Sequence, residues 1–72
     1  MRDKRLQILG SNIKAERVRK NLSQYKLADI ISRSKDSIYK IENGTQTPSA
    51  LLVFDIAKAL NIPIEKLYES IS

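Results

Sequence analysis

Apolar residues recur along this chain at helical spacing, and nowhere do they alternate with polar ones over a useful length, so the pattern predicts helices and no strand. The first helix is expected from about Leu6 to Lys20, with Leu6, Leu9 and Ile13 on one face and Arg17 continuing the row. Asn21 then suits the left-handed residue after a helix, and Leu22 is the apolar residue that packs back on its end. Gly10 inside this helix costs about 1 kcal/mol relative to alanine and permits close approach of a neighbouring backbone. Ser23 is a good N-cap for a second helix, Gln24 to Ile31, with Leu27, Ala28 and Ile31 facing inward. The polar stretch Ser32-Arg33-Ser34 breaks it. Ser34 caps a third helix, Lys35 to Glu42, whose buried stripe is Ile38 and Ile41, and Asn43-Gly44 stops it. After the loop Thr45-Gln46-Thr47-Pro48, Ser49 caps a fourth helix, Ala50 to Leu60, and Asn61 repeats the role of Asn21. Pro63 opens a fifth helix, about Ile64 to Ser70, with Leu67 and Tyr68 turned inward. Five short helices with loops of two to six residues imply a compact all-α domain over residues 1–72. Its expected core is Leu9, Ile13, Leu22, Leu27, Ala28, Ile31, Ile38, Ile41, Leu52, Ile56, Ala57 and Leu60.

Composition narrows the chemistry. The chain has 72 residues, with no cysteine and no histidine. Disulfides, thiolate or imidazole metal sites, cysteine nucleophiles and Ser-His-Asp triads are therefore absent. The carboxylates are scattered, Gly10 and Gly44 form no phosphate-cradling loop, and no metal-ligand spacing exists, so no enzyme, cofactor or small-molecule ligand is expected. The net charge of +5 is unevenly spread: residues 1–40 carry 11 basic and 4 acidic side chains, residues 41–72 carry 2 and 4. A basic half beside a mildly acidic half points to one face for a polyanion and another for something else. No apolar run approaches the roughly 18 residues of a membrane span. The charged N-terminus is not followed by the apolar stretch of a signal peptide, so a cytoplasmic protein is expected. Residues 1–5, with Arg2, Lys4 and Arg5, form either a basic arm touching a polyanion or a solvated, frayed end.

The informative segment runs from Leu22 to Gly44. Two short capped helices are joined by about three polar residues. Ala28 on the inner face of the first allows a close crossing, and Ile38 sits on the inner face of the second. Such a pair is a helix-turn-helix. Its second helix presents Lys35, Asp36, Tyr39 and Lys40 outward near its N-terminal end. An α-helix fits the major groove of B-DNA, where lysine donates to guanine O6 and N7.

On Leu22-Ser23-Gln24, Leu27-Ala28, Ser34, Ile38, Ile41-Glu42-Asn43-Gly44, Pro48-Ser49 and Ala57-Lys58-Ala59-Leu60, the stretch from Leu9 to Leu67 resembles the phage Cro/repressor-type (xenobiotic response element) helix-turn-helix family, widespread in bacterial regulators. The resemblance implies a five-helix, lambda-repressor-like domain that binds double-stranded DNA, with helix three in the major groove. It places Lys35, Asp36 and Lys40 at base-reading positions, with Ser34 and Tyr39 beside them. Ser23 and Gln24 fall where the start of helix two anchors a phosphate, and Asn43, Thr45 and Thr47 where the following loop touches the backbone. Arg17 and Glu42 fall on a structural ion pair tying helix one to the end of helix three. Two positions depart from the pattern. Ser32 stands where glycine is frequent, at a cost on the order of 1 kcal/mol if its φ is positive. Arg33 stands where an apolar residue is usual, and so reaches a phosphate instead of packing.

Each assignment has a plainer counterpart. Lys35 and Lys40 are otherwise solvated lysines on an exposed face, and Gln24 a first-turn helical residue. Asp36 either stabilises the helix dipole, or accepts from cytosine N4 or orients Lys40 one turn on. Tyr39 packs on a sugar or thymine methyl, or covers the core edge. Tyr68 and Ile71 are core residues or a dimer patch. The expectation for the whole chain is a DNA-binding regulator, a repressor acting as a homodimer on an inverted repeat. An antitoxin-type repressor that also binds a toxin is the alternative within that class. A protein-interaction adaptor using the same helical face is the alternative outside it.

Overall fold

Side-chain oxygens open all four α-helices of the computed structural model, which describes residues 3–71. Asp3 accepts from the Arg5 amide (2.9 Å), Ser23 from Lys26 (3.0 Å), Ser34 from Ser37 (3.1 Å) and Ser49 from Leu52 (3.1 Å). Each bond satisfies a backbone N–H that the first helical turn leaves without a partner. The helices are α1 (Lys4–Arg19), α2 (Gln24–Ile30), α3 (Lys35–Glu42) and α4 (Ala50–Leu60). A short 3-10 turn, Ile64–Tyr68, follows in place of the expected fifth α-helix. The expected boundaries of the first two helices also move: α1 starts two residues earlier, and Lys20 and Ile31 are C-caps. Of the expected basic arm, Lys4 and Arg5 form the first turn of α1 and Asp3 its cap, while Arg2 lies outside the described residues.

All four α-helices close in the same way. In α3 the closing residue is Gly44 (φ 80°), whose amide bonds to Ile41 while that of Thr45 bonds to Lys40. The other three close at residues that carry a side chain. Asn21, Ser32 and Asn61 adopt positive φ (59°, 58° and 56°). In each case this residue's amide and the next bond back to helix carbonyls: Asn21 to Val18 and Leu22 to Arg17, Ser32 to Asp29 and Arg33 to Ala28, Asn61 to Lys58 and Ile62 to Ala57. This is the paired closure of a Schellman motif. Asparagine tolerates the left-handed conformation well. Serine does so at a cost of about 1–2 kcal/mol, which the α2–α3 turn carries.

The core is a single cluster of Leu9, Ile13, Leu27, Ala28, Ile38, Ile41, Leu52, Val53, Ile56, Ala57, Leu60 and Leu67. Each large aliphatic among them contributes roughly 1.5–3 kcal/mol by leaving water. The expected core is corrected at its margins. Leu22 and Ile31 pack against the cluster but are only half-buried, because each follows or ends a helix at the rim. Val53 joins the core and Leu67 is buried as expected, whereas Tyr68, expected to turn inward beside it, is exposed, and Ile71 is half-buried at the cluster's edge. The helices α2 and α3 pack on each other, α3 also on α1, and α4 on α1, α2 and the 3-10 turn. Gly10 is where α1 meets the end of α3: a methyl group there would lie 2.5 Å from the Glu42 carbonyl oxygen and press on that of Ile41. Asn12, one turn before Glu16, fastens the other end of the chain by donating its amide to the carbonyls of Leu67 (2.9 Å) and Glu69 (2.8 Å).

Candidate nucleic-acid interface

The buried stripe of α3, Ile38 and Ile41, fixes which face of this helix remains outside. Lys35, Asp36, Tyr39 and Lys40 are all exposed on it. Asp36 and Lys40, one turn apart, form an ion pair of 3.0 Å. Between two exposed side chains such a pair is worth about 0–1 kcal/mol, so it orients the lysine without holding it against a stronger acceptor. Gln24, Lys35, Asp36 and Tyr39 line one shallow depression, where the first residue of α2 meets the outer face of α3. Lys35 also borders a second, with Tyr25, Arg33 and Ser34 among its other walls. Arg33 is exposed, as the departure from the apolar pattern at that position implies.

Beneath this face lies a polar network with little contact with water. Arg17 continues the apolar row of α1 but ends in a guanidinium, which meets Glu42 at the end of α3: Nε donates to Oε2 (2.6 Å) and Nη2 to Oε1 (3.1 Å). Only 9% and 3% of the two side chains is exposed. Arg17 Nη1 donates to the Leu22 carbonyl (2.6 Å), and Gln24 Nε2 to Glu42 Oε1 (3.0 Å). No buried side-chain nitrogen or oxygen among the described residues lacks a partner. This satisfaction is what makes a buried ion pair tolerable. Through it α1 holds both the start of α2 and the end of α3, and so sets how the two elements sit relative to each other.

The loop after α3 is tied to itself. Asn43 Oδ1 accepts from the Thr45 amide (3.1 Å) and hydroxyl (2.6 Å), leaving the asparagine N–H groups as donors. Thr47 is exposed and Ser23 sits at the mouth of α2 with its oxygen occupied as a cap. The expected residues thus fall into three neighbouring groups: the outer face of α3, the start of α2, and the loop from Asn43. Two exposed residues that sequence reasoning passed over join them. Lys14 lines a small hollow with Gln24, Tyr39, Glu42 and Asn43. The available signal was its spacing, three residues before Arg17 and hence on the same face of α1. Tyr25, next to Gln24, carried no such signal.

A family model described as Helix-turn-helix matches residues 13–67. Comparison with curated proteins gives no match. Among solved structures, the restriction-modification controller protein C.AhdI from Aeromonas hydrophila is 26% identical over 90% of this chain and 98% of its own, with a TM-score of 0.87. PlcR from Bacillus thuringiensis, solved in complex with the peptide PapR7 and DNA, is 37% identical over 90% of this chain, with a TM-score of 0.79, and the match spans 23% of PlcR. The clp gene regulator ClgR from Corynebacterium glutamicum shares the fold at 18% identity, with a TM-score of 0.85 over all of this chain and 97% of its own.

Proposed function

From the premise that the chain belongs to the helix-turn-helix family, in its Cro/repressor-type branch, we propose that it is a sequence-specific double-stranded DNA-binding transcriptional regulator that acts as a repressor. The observation that carries this reading is the outer face of α3, where Lys35, Asp36, Tyr39 and Lys40 stand exposed together above the buried Arg17–Glu42 pair. Placed in the major groove, α3 sets Lys35 and Lys40 to donate to guanine, with Asp36 and Tyr39 alongside and Ser34 at its entry. Ser23, Gln24 and Lys14 on one flank, and Asn43 and Thr47 on the other, donate to backbone phosphates, and Thr45 joins them by turning its hydroxyl away from Asn43. Such contacts fix register and carry no sequence information by themselves. Arg33 adds a phosphate contact from the turn. The likeness to PlcR, a protein solved with DNA, supports this reading.

One α3 reads only a few base pairs. The regulator therefore acts as a homodimer in the cytoplasm, on an inverted repeat whose half-sites lie about 34 Å apart or a multiple of that. It represses by occupying that site. Selection of bound duplexes from a random pool tests the reading in one step. The expected product is an inverted repeat with two short, strongly preferred half-sites. A pool that emerges as random as it entered contradicts it, and steep loss of binding with salt but no enriched sequence would reduce the protein to a non-specific polycation.

A further inference from the structure

Asp36 is the only exposed carboxylate of α3, and it stands on the face whose lysines attract a polyanion. In the first turn of a helix an acid ordinarily stabilises the dipole, close to the free backbone N–H groups. Asp36 makes no such contact. The Ser37 amide bonds to Ser34, and among the described residues Asp36 accepts from no backbone N–H. Its carboxylate instead meets Lys40 Nζ, one turn on, at 3.0 Å. The Asp36 side chain is 69% exposed and that of Lys40 50%, so the two head groups are presented together to whatever meets α3.

We propose that Asp36 and Lys40 act as one unit that reads both bases of a single G·C pair. The inference rests on the DNA-binding reading above and adds to it what the carboxylate recognises. In the major groove guanine offers O6 and N7 as acceptors, and cytosine offers its N4 amino group as a donor. O6 and N4 are hydrogen-bonded to each other within the base pair, so they lie about 2.9 Å apart. The ion pair holds its own nitrogen and oxygen at nearly that spacing. An ammonium has three N–H donors. With one on Asp36, Lys40 keeps two for O6 and N7, which stand side by side on guanine. A carboxylate only accepts, and the lone pairs of Asp36 that Lys40 leaves free take the N4 proton. The alternatives fit less well. Thymine under the lysine keeps an acceptor in O4, and its adenine keeps a donor in N6, but a methyl group stands beside O4 where guanine has N7. Reversing the G·C pair sets Lys40 on an amino group and Asp36 on O6, donor against donor and acceptor against acceptor. The unit is neutral in sum, so it adds little attraction to a bare polyanion and contributes discrimination instead.

Titrations of the full chain on a selected duplex, and on the same duplex altered one base pair at a time, test this. For the wild type, one G·C pair in each half-site is expected to tolerate replacement by T·A better than its own reversal. Asp36→Ala and Lys40→Ala are each expected to relax discrimination at that same pair, by about tenfold. The double variant is expected to relax it no further, because two groups in one network do not add. On random duplexes the single variants part company. Asp36→Ala is expected to bind more tightly, since it frees Lys40 for a phosphate, and its log–log salt slope to steepen by roughly 1. Lys40→Ala is expected to bind random duplexes more weakly. Both side chains lie largely in water, so helical circular dichroism is expected to be unchanged in all three variants. An Asp36→Ala chain that keeps the wild-type base preference, as an acid serving only the helix dipole would, overturns the proposal. So does one that relaxes a different base pair from Lys40→Ala; either result leaves the DNA-binding reading standing. A wild type that enriches no sequence contradicts that reading, and the proposal falls with it.

Discussion

A single side chain with two oxygens ties α1 and the start of α2 to the end of α3. Glu42 accepts from Arg17 twice and from Gln24 once. Removing either member of the buried pair leaves the other charged and without its partner, which costs about 3–5 kcal/mol. Arg17→Ala is therefore expected to unfold the domain at markedly lower urea, and Gln24→Ala to do so only slightly, since its bond lies at the edge of the network. Equal effects would mean that the network is not organised around the ion pair. On the outer face the expectation differs. Lys40→Ala or Lys35→Ala is expected to leave stability nearly unchanged and to weaken binding to the selected duplex by about 1–3 kcal/mol, with relaxed discrimination at one base pair. Titrations that show the same loss on selected and random duplexes would reassign that lysine to a phosphate. At the other end of α1, the Arg5 side chain and amide beside Asp3 hold its carboxyl down at about 2, against an ordinary 3.8. A lowered value means that the cap stabilises the helix above pH 3.8 and is lost as pH falls toward 2. The Asp3 carboxyl resonance is expected to titrate near that lower value, and a midpoint at the ordinary one would show that the cap does not form.

The elements were largely legible because their caps are local chemistry. Ser23, Ser34 and Ser49 each stand one residue before a helix that starts where the serine says it does, and Asn21 and Asn61 each mark an end. Ser32 was legible only through the family resemblance, since nothing in its own side chain favours a positive φ. The 3-10 turn was not separable from an α-helix by periodicity, because five residues with one buried apolar position, Leu67, fit either. What holds it is the Asn12 amide, more than fifty residues away in the chain, and no local signal announces such a bond. Distance hid the Gln24–Glu42 contact as well, whereas the Arg17–Glu42 pair was anticipated from the family pattern alone. The margin of the core was legible in α4, where Val53 shares the helical row of Ile56, Ala57 and Leu60 and is buried, while Phe54 beside that row is exposed. Gly10 gives the sharpest test at this scale. Helix propensity says that Gly10→Ala stabilises α1 by about 1 kcal/mol. Packing says the reverse, since the added methyl runs into backbone oxygens of α3 that have no rotamer to move, and overpacking costs about 1–3 kcal/mol. Chemical denaturation is expected to show a net loss of stability. A gain would mean that the α1–α3 contact is looser than described.

The molecule as a whole separates its tasks by face. The side formed by α3, the start of α2 and Lys14 of α1 gathers lysines and hydrogen-bond donors, while α4 presents an apolar stripe with balanced charge. The Arg17–Glu42 pair fixes the first of these faces from within. A consequence can be read from salt. If Arg33 neutralises a phosphate, Arg33→Ala lowers the magnitude of the log–log slope of binding against salt by roughly 1, and an unchanged slope would leave it a plain surface residue. The most direct test of the central claim is the footprint of a selected duplex on the amide resonances of the isotope-labelled chain. The largest shifts are expected on residues 34–45 and on Ser23, Gln24 and Lys14, with the outward positions of α4 unmoved by DNA. Shifts centred on α4 with α3 silent would contradict it.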